Sequence, residues 1–486
     1  MEERGVGKRL PRSESSQRTV TINMKSIGNG MLPSGAHRPG RKQRWRKTTR
    51  RKFILSVAKT VAAGSLVALD VSRFAHAAGS GVIRLGLIGC GGRGTGAARN
   101  ALAAGKDVKL VAMADVIEQK VGSSLDQLKK SRIADQLDVP GERQFSGFDS
   151  FQHLLSVGLD AVLVATPPGF HALHVEAAVR AGLHCFLEKP VAVDAPGVRQ
   201  VRATAEVATQ NGLSVIVGFQ EHFDSSYQQF LAELSNGAIG TIKKLNAVIR
   251  WTDLPRRTTR ASVDKQLRRP STEMEFQIRN WFPFSWLSGD MIVETLVHHI
   301  DTCLAAVGSL PQHVQGTAER REHPGSDYGN ISDFLTARYI FADGIELQAE
   351  ISALLDNSAA WQASLEGEEG IATAPGKIVG RQGQVIWTYS GPKPDPYQEE
   401  MNQWCASIRN GKPLNTLASA ADSTLVAIMG RTAAYTGREV SWAEIQRGNE
   451  ALFTHNPKSF QDAPPALPDK FGDYRFPPLG LPDGAA

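Results

Sequence analysis

Three polar side chains in the second half of the chain have the types and spacing that acid–base chemistry needs. Asp290, Glu294 and His298 recur at intervals of four residues between Ser288 and Asp301. On a helix this interval places all three side chains on one face. A carboxylate one turn before an imidazole can orient the ring and raise its basicity. Glu294 and His298 are therefore candidates for moving a proton, and an ordinary surface pair is the alternative.

Lys189 is a further candidate because of the element that precedes it. The apolar residues from His184 to Leu187 read as a strand and run directly into Glu188, Lys189 and Pro190. Ligands bind at the carboxyl ends of parallel strands, and proline restrains the residue before it. The sequence thus predicts a lysine held at a ligand cleft, with a solvated loop lysine as the alternative.

A glycine-rich turn supplies the element around which these side chains are arranged. The stretch from Ile83 to Gly96 reads as a strand, a tight turn and a helix start, with Gly89, Gly91 and Gly94 at the GxGxxG spacing. Such a turn lets backbone and helix amides approach a pyrophosphate. A second buried strand, Val108 to Ala114, ends in Asp115, 21 residues beyond Gly94 and near the offset of a ribose-binding carboxylate. The pattern predicts a dinucleotide site, and Asp115 favours NAD over NADP because it would repel a 2′-phosphate.

The charge of the chain is concentrated at its front end. The chain has 486 residues, 41% of them hydrophobic and 21% charged, and a net charge of +6. This charge divides into +13 for residues 1–77 and −7 for the remainder. Composition therefore gives no argument for nucleic-acid binding. The length suits two globular domains, and the four cysteines form no CxxC pair, so no metal or redox motif is predicted.

The basic front end has the features of an export signal. The pair Arg50-Arg51 and the following Lys52-Phe53-Ile54-Leu55 resemble a twin-arginine signal, and a moderately apolar run extends to Leu69. Ala75-His76-Ala77 offers a cleavage site. We therefore expect residues 1–77 to be a basic region and signal peptide, the protein to be periplasmic, the Tat translocase to be a transient partner, and no stable membrane span to form. A disordered basic arm is the alternative.

The remaining chain divides by pattern into three parts. Alternating strands and helices over 80–215 predict a Rossmann domain, and longer strands with turns over 216–456 predict an α/β domain with a mostly antiparallel open sheet. The late helices of the second part are expected to pack back on the first. A Pro-rich tail, 457–486, is expected to wrap the surface.

Several short motifs follow one another through the first domain: Gly89-Cys90-Gly91-Gly92-Arg93-Gly94, Ala165-Thr166-Pro167-Pro168, His171, Ala181-Gly182 and Glu188-Lys189-Pro190. Together they resemble the glucose-fructose oxidoreductase / inositol dehydrogenase / rhizopine catabolism (Gfo/Idh/MocA) family. In that family the lysine of the Glu-Lys-Pro motif is catalytic and the Lys-Pro bond is often cis. The resemblance implies cofactor contacts from the glycine loop, Cys90, Arg93, Asp115, Thr166, Pro167, His171, Glu188 and Lys189.

The resemblance continues into the second domain. Glu294 and His298 match the family's Asp-x-x-x-His motif, with glutamate replacing the usual aspartate. The text around Ile278-Arg279-Asn280-Trp281-Phe282 and Ser288-Gly289-Asp290 resembles a planctomycete-type branch. The chain departs from that branch at Met291, where the branch often has histidine, and it departs from many relatives, which have arginine, at Glu221-His222.

Aromatic and polar side chains near this motif are candidates for the substrate site. Trp251 and Trp281 lie in the same region as Arg279 and Asp290. Aromatic faces beside hydrogen-bonding donors suit a sugar, and a core or subunit contact is the alternative for either tryptophan. These four residues form the predicted substrate set.

Residues and resemblance together predict an exported, NAD(P)-dependent oxidoreductase of a sugar, polyol or glycoside hydroxyl. His298 would take the hydroxyl proton, Lys189 would hydrogen-bond the same oxygen and Glu294 would orient His298. Because free NAD is not expected outside the cytoplasm, the cofactor would be loaded before export and held tightly. The alternatives are an NAD-retaining lyase, hydrolase or epimerase that oxidises its substrate transiently, and a non-catalytic secreted sugar-binding protein. By resemblance, a homo-oligomer is expected.

Overall fold

The structure is a computed structural model that describes residues 81–477 apart from 256, 324, 357 and 455. The predicted export signal and the last residues of the predicted tail lie outside the described residues.

The first half of the described chain forms a parallel sheet with helices on its faces. The strands are β1 Ile83–Ile88, β2 Val108–Asp115, β3 Gln144–Ser146, β4 Ala161–Val164, β5 His184–Leu187 and β6 Val215–Val217. Their order in the sheet is β3-β2-β1-β4-β5-β6, with every pairing parallel. The helices are α1 Gly92–Ala103, α2 Glu118–Lys129, α3 Ser150–Leu155, α4 His171–Arg180 and α5 Ala195–Gln210. Near-continuous apolar runs form the strands because both faces of a parallel sheet are buried.

The second half is organised on a larger, mixed sheet. Its strands are β7 Ile242–Trp251, β8 His313–Glu319, β9 Phe334–Ile340, β10 Glu346–Ala353, β11 Ala360–Gly367, β12 Gly370–Ala374, β13 Lys377–Gly380, β14 Val385–Thr388 and β15 Val440–Ser441. The order is β14-β13-β12-β11-β7-β10-β9-β8-β15. Among the described strands of this second sheet, the β7–β10 pairing is parallel and the other pairings are antiparallel. The predicted fold class, a Rossmann domain followed by a mostly antiparallel sheet domain, is confirmed.

Helices surround the second sheet and reach back to the first. They are α6 Ser225–Ser235, α7 Arg260–Leu267, α8 Glu273–Arg279, α9 Ser285–Ser288, α10 Val297–Val307, α11 Pro396–Arg409, α12 Leu417–Thr436 and α13 Trp442–Arg447, with a π-helix at Ile292–Leu296 directly before α10. Helix α11 lies against α1, where Gln398 donates to the Asn100 carbonyl at 2.9 Å and Arg409 pairs with Asp107 at 2.5 Å.

One apolar core joins the two sheets. Buried residues of β4 and β5 belong to the same cluster as buried residues of β7, β10 and α12. The four cysteines are buried and free, as small apolar side chains. Within the described residues, no helix combines the length and apolar character needed to cross a membrane. The shared core fixes the carboxyl ends of the first sheet's strands against the second domain.

Candidate active site

The glycine turn is shaped to admit a phosphate group at the amino terminus of a helix. Gly89 has φ +95°, and a Cβ there would lie 2.6 Å from the Ala165 backbone. A Cβ at Gly94 would lie 1.9 Å from the Gly89 carbonyl oxygen, so the helix packs directly on the turn. A Cβ at Gly91 would meet nothing within 4 Å, and helix α1 begins at the next residue without a side-chain cap. The first amides of α1 are thus available to an anionic ligand.

A cavity of about 320 Å³ opens at this turn. The predicted cofactor residues Gly89, Gly91, Gly92, Arg93, Asp115, Thr166 and Pro167 line it. Asp115 is buried and accepts the Cys90 amide at 2.8 Å and the Ile117 amide at 2.9 Å. These contacts hold the carboxylate at the carboxyl end of β2, at the cavity wall. The shape, the open helix terminus and the acid fit a dinucleotide.

Two predicted cofactor residues lie behind the cavity wall. The Cys90 thiol is buried and lies 3.5 Å from the Ala114 carbonyl. The His171 ring is buried between the carbonyls of Thr166 at 2.7 Å and Pro190 at 2.6 Å, and burial lowers its pKa. His171 thus connects two loops that hold the site. His174, one turn further along α4, lines the cavity instead.

A second cavity, about 270 Å³, adjoins the first and contains the predicted catalytic side chains. Lys189, Glu294 and His298 all line it. The two cavities share Arg93, Ala165, Thr166 and Trp281 as walls. The arrangement places the acid–base candidates next to the predicted dinucleotide cavity, which is the order that hydride transfer requires.

Arg93 and Glu188 form the junction between the cavities. They make a close ion pair, and the Arg93 guanidinium lies over the Tyr397 ring at 4.7 Å from its centroid. Behind them, burial and the neighbouring Glu188 carboxylate raise the pKa of Glu400 well above its usual range. Helix α11, which carries Tyr397 and Glu400, therefore supports the Rossmann side of the site.

Lys189 is held by the element that carries Glu294. The Lys189-Pro190 bond is cis, and Lys189 Nζ donates to the Glu294 carbonyl at 2.5 Å and lies 3.2 Å from Glu294 Oε1. The other carboxylate oxygen of Glu294 accepts a close hydrogen bond from the Thr295 hydroxyl. Glu294 lies in the π-helix, whose wider turn presents both its carbonyl and its side chain to Lys189.

His298 has a carboxylate partner that the sequence reading did not identify. Its Nδ1 lies 3.2 Å from Glu221 Oε2, a close pair with imperfect hydrogen-bond alignment. Burial opposes ionisation of Glu221, but the charge and hydrogen bonding of His298 lower the Glu221 pKa to about 2. Glu221 follows β6, so the rule that drew attention to Lys189 after β5 also applies to it.

The predicted shared face is wrong for Asp290, whereas Glu294 and His298 line the same cavity. Asp290 precedes the helix with φ +85°, and the π-helix then breaks the four-residue periodicity. The Asp290 carboxylate is fully buried, bonded to the Tyr435 hydroxyl, and burial raises its pKa. It does not line either cavity described above.

The predicted substrate residues separate into two groups. Trp251 and Trp281 line the second cavity, whereas Arg279 lies outside it beside Glu275, at 3.6 Å. Phe282 also lines this cavity, as do Trp361, Tyr397 and Gln220, which were not among the predicted site residues. Trp361 is 54% exposed and stands at the mouth of the cavity, with its ring centroid 5.2 Å from that of His299.

Comparison with known proteins agrees with this geometry. Residues 83–219 match the family model GFO_IDH_MocA, described as "Oxidoreductase family, NAD-binding Rossmann fold". The chain is 29% identical over 147 residues to myo-inositol dehydrogenase Hyg17 of Streptomyces leeuwenhoekii, covering 30% of this chain and 42% of that relative. It is 23% identical over 345 residues to inositol 2-dehydrogenase of Acidothermus cellulolyticus, covering 68% and 86% respectively.

A solved structure shares the overall fold. Scyllo-inositol dehydrogenase from Lactobacillus casei with bound NAD(H) and scyllo-inositol superposes with a TM-score of 0.54 at 21% identity, covering 74% of this chain and 99% of that one. The predicted NAD cofactor thus agrees with the family that the first domain matches.

Proposed function

We propose that this protein, whose residues 83–219 form an NAD-binding Rossmann domain of the Gfo/Idh/MocA oxidoreductase family, oxidises a hydroxyl group of a polyol, sugar or glycoside. Inositol dehydrogenases are among its relatives, which supports a cyclic polyhydroxy substrate. The observation that carries the proposal is that Lys189 and His298 line one cavity, which shares walls with the glycine-turn cavity.

The residues of the second cavity have distinct roles in this proposal. A bound nicotinamide would supply the hydride acceptor. As the carbinol carbon loses hydride, His298 accepts the hydroxyl proton and Lys189 donates a hydrogen bond to the same oxygen, so that a carbonyl product forms. Glu294 holds Lys189 in place through its carbonyl and its carboxylate.

The cavity walls suit a polyhydroxy ring. Trp251, Trp281 and Trp361 line the cavity with aromatic rings, and Gln220 adds an amide. Sugars bind in this way because their C–H faces pack on aromatic rings while their hydroxyls meet polar groups. Because Trp361 is half exposed at the mouth, the cavity also accommodates a substituent that extends outward, as in a glycoside.

Tight retention of NAD is supported by the carboxyl-terminal segment, which contains Phe460, Ala466 and Phe471. Phe460 packs edge-on against Phe148, a wall residue of the cofactor cavity, at 5.2 Å between ring centroids. The Phe460 carbonyl accepts the Thr272 hydroxyl at 2.5 Å, and the Ala466 carbonyl accepts Gln277 Nε2 at 2.6 Å. The segment therefore ties a wall of the cofactor cavity to helix α8 of the second domain. A preference for NAD over NADP is supported by Asp115 in the same cavity.

Export belongs to the same proposal and rests on the sequence of residues 1–77. We infer a periplasmic enzyme that folds around NAD in the cytoplasm and crosses through the Tat translocase. Replacing Arg50 and Arg51 together by lysine is expected to leave the protein in the cytoplasm, and fractionation of expressing cells measures this. Export of the double variant at the normal level would contradict the signal assignment.

A homo-oligomer and membership of the planctomycete-type branch are further parts of the proposal. The outward face of the second sheet carries paired charges, including Arg250 with Glu350 at 2.5 Å. Such a face suits a polar subunit contact. Sedimentation of the purified protein distinguishes an oligomer from a monomer.

The functional proposal is tested by removing each acid–base side chain. Lys189→Met and His298→Ala are each expected to slow reduction of bound NAD by polyols about 10²- to 10⁴-fold while cofactor content stays unchanged. Lys129→Met, at an exposed position on α2, is the matched control. If both variants turned over as fast as the Lys129→Met control, the proposed roles of Lys189 and His298 would be contradicted.

Transient oxidation is a second candidate because the carboxyl-terminal segment favours a cofactor that stays bound. An enzyme with retained NAD must return the hydride to its substrate or to a second one. Product analysis separates the cases, since net oxidation gives a carbonyl product and transient oxidation gives a cleaved or inverted sugar.

A further inference from the structure

We propose that Glu221 is the positioning residue of His298, and that the two carboxylates of the site divide their work: Glu221 holds the histidine and Glu294 holds the lysine. This inference rests on the proposed function for its catalytic meaning. Its structural content, the orientation of one imidazole, can be measured independently.

The location of Glu221 suits this role. It lies on the single 3-10 turn Gln220–Phe223, which directly follows β6 at the carboxyl edge of the Rossmann sheet. His298 belongs to α10 in the second domain. The pair therefore spans the cleft, and the same contact that orients the ring also joins the two sides of the active site.

Three side chains lie around the His298 ring. Glu221 Oε2 lies 3.2 Å from Nδ1, and the Phe219 ring stands edge-on at 5.7 Å between centroids with an interplanar angle of 83°. Trp361 approaches with its centroid at 6.5 Å. Because Nδ1 is the ring nitrogen that lies close to the carboxylate, Nε2 is the nitrogen that remains to meet a substrate hydroxyl.

Glu221 is itself held in place. Its second oxygen, Oε1, accepts a hydrogen bond from the Gln220 amide at 3.0 Å. Helix α11 packs against the turn that carries it. A carboxylate held through one oxygen can orient the partner that lies beside its other oxygen, whereas a free surface glutamate would move with that partner.

The charges around the Glu221–His298 pair show which group faces His298 Nδ1. Glu221 is partly buried, and its pairing with His298 lowers its pKa to about 2 and so favours its ionised form. Burial and the neighbouring His298 lower the pKa of His299 to about 4, so that ring stays neutral beside the pair. His222, the residue after Glu221, pairs closely with Asp301. The other carboxylate oxygen of Asp301 accepts a hydrogen bond from the Ser423 hydroxyl at 2.7 Å. The negative charge facing His298 Nδ1 therefore comes from Glu221.

A carboxylate in this position selects the tautomer. It favours the tautomer that carries the proton on Nδ1, because Nδ1–H can donate a hydrogen bond to it, and the lone pair on Nε2 is then left for the substrate hydroxyl. When Nε2 takes that proton, Glu221 stabilises the resulting imidazolium.

The test compares Glu221→Gln with Glu221→Asp and with Glu206→Gln, an exposed carboxylate on α5. The full-length protein with bound NAD is mixed with myo-inositol and with D-glucose, and NADH formation is followed in a single turnover. Glu221→Gln is expected to lower the rate of hydride transfer about 10- to 100-fold with little change in half-saturating substrate. Glu221→Asp is expected to recover part of the loss, and Glu206→Gln to match the unaltered protein.

A second readout does not depend on turnover. Heteronuclear NMR of the His298 ring nitrogens is expected to show the Nδ1–H tautomer in the unaltered protein and a mixture in Glu221→Gln, at unchanged NAD content. Equal rates and equal tautomer signals in both proteins would overturn the positioning role. Absence of turnover in the unaltered protein with every polyol tried would instead count against the proposed function, and the tautomer signal would still decide the role of Glu221.

Discussion

Adding one methyl group at Gly91 separates cofactor binding from protein stability. The Gly91 backbone has φ −73° and ψ −177°, an extended conformation that alanine adopts without strain. The added Cβ would have no heavy atom within 4 Å in the protein itself, because it points into the cavity at the start of α1. Gly91→Ala is therefore expected to change the free energy of unfolding of cofactor-free protein by no more than about 0.5 kcal/mol.

The same methyl group occupies space that the pyrophosphate needs. An overlap of this kind costs about 1–3 kcal/mol in a well-packed site. That cost corresponds to a rise of about 5- to 150-fold in the dissociation constant for NAD. Isothermal titration of cofactor-free protein with NAD measures the binding, and thermal unfolding of the same sample measures the stability.

Two other glycines of the stretch provide controls. A Cβ at Gly96 would make an ordinary contact of 3.6 Å with Arg93, so Gly96→Ala is expected to bind NAD normally. A Cβ at Gly94 would collide with the Gly89 carbonyl at 1.9 Å, so Gly94→Ala is expected to lose stability as well as binding. If Gly91→Ala bound NAD as tightly as Gly96→Ala, the pyrophosphate would not occupy the space beside Gly91, and the proposed role of the glycine turn would be wrong.

Three further predictions follow from other parts of the site. Asp115→Asn is expected to shift the ratio of NAD to NADP dissociation constants toward NADP by about tenfold, because it removes a charge that repels a 2′-phosphate; an unchanged ratio in titrations would show that Asp115 does not select the cofactor. Phe460→Ala is expected to speed release of bound NADH, measured by loss of its fluorescence, whereas Phe471→Ala, 79% exposed on the same segment, is not; equal release rates would rule out the retaining contact. Burial lowers the pKa of His174 from 6.5 to about 3, so the unfolded state takes up the proton first and the free energy of unfolding falls as the pH drops from about 6.5 toward 3. His174→Gln is expected to flatten this fall, which urea titrations at several pH values measure. If the free energy of unfolding of the variant fell as steeply as that of the unaltered protein, other groups would be responsible for the pH dependence.

The elements around the cofactor were predictable because they depend on local signals. Strand β5 has the predicted bounds, His184 to Leu187, since an apolar run between glycine and proline leaves little freedom. Strand β2, predicted from Val108 to Ala114 with Asp115 at its end, spans Val108–Asp115. The short strands β12, β13 and β14 were not identified, because they carry few residues and depend on pairing with neighbours.

The site was predictable where one residue stands at the end of one strand. Lys189, shortly after buried strand β5, and Asp115, the last residue of buried strand β2, are examples, since the end of the strand places each at the cleft. The partner of His298 was not predictable by helical spacing, because a π-turn alters the spacing and the carboxylate comes from another domain. Trp361 was missed for a similar reason: its place at the cavity depends on how β11 pairs with β7.

Transfer of deuterium from substrate to bound cofactor tests the central claim most directly. The purified full-length protein with bound NAD is mixed with polyols and sugars deuterated at the carbinol carbons, then denatured, and the released cofactor is analysed by mass spectrometry. We expect deuterium on the nicotinamide in the unaltered protein and strongly slowed labelling in His298→Ala at equal cofactor content. Bound NAD that never acquires deuterium from any of these substrates, or equally fast labelling in His298→Ala, would contradict it.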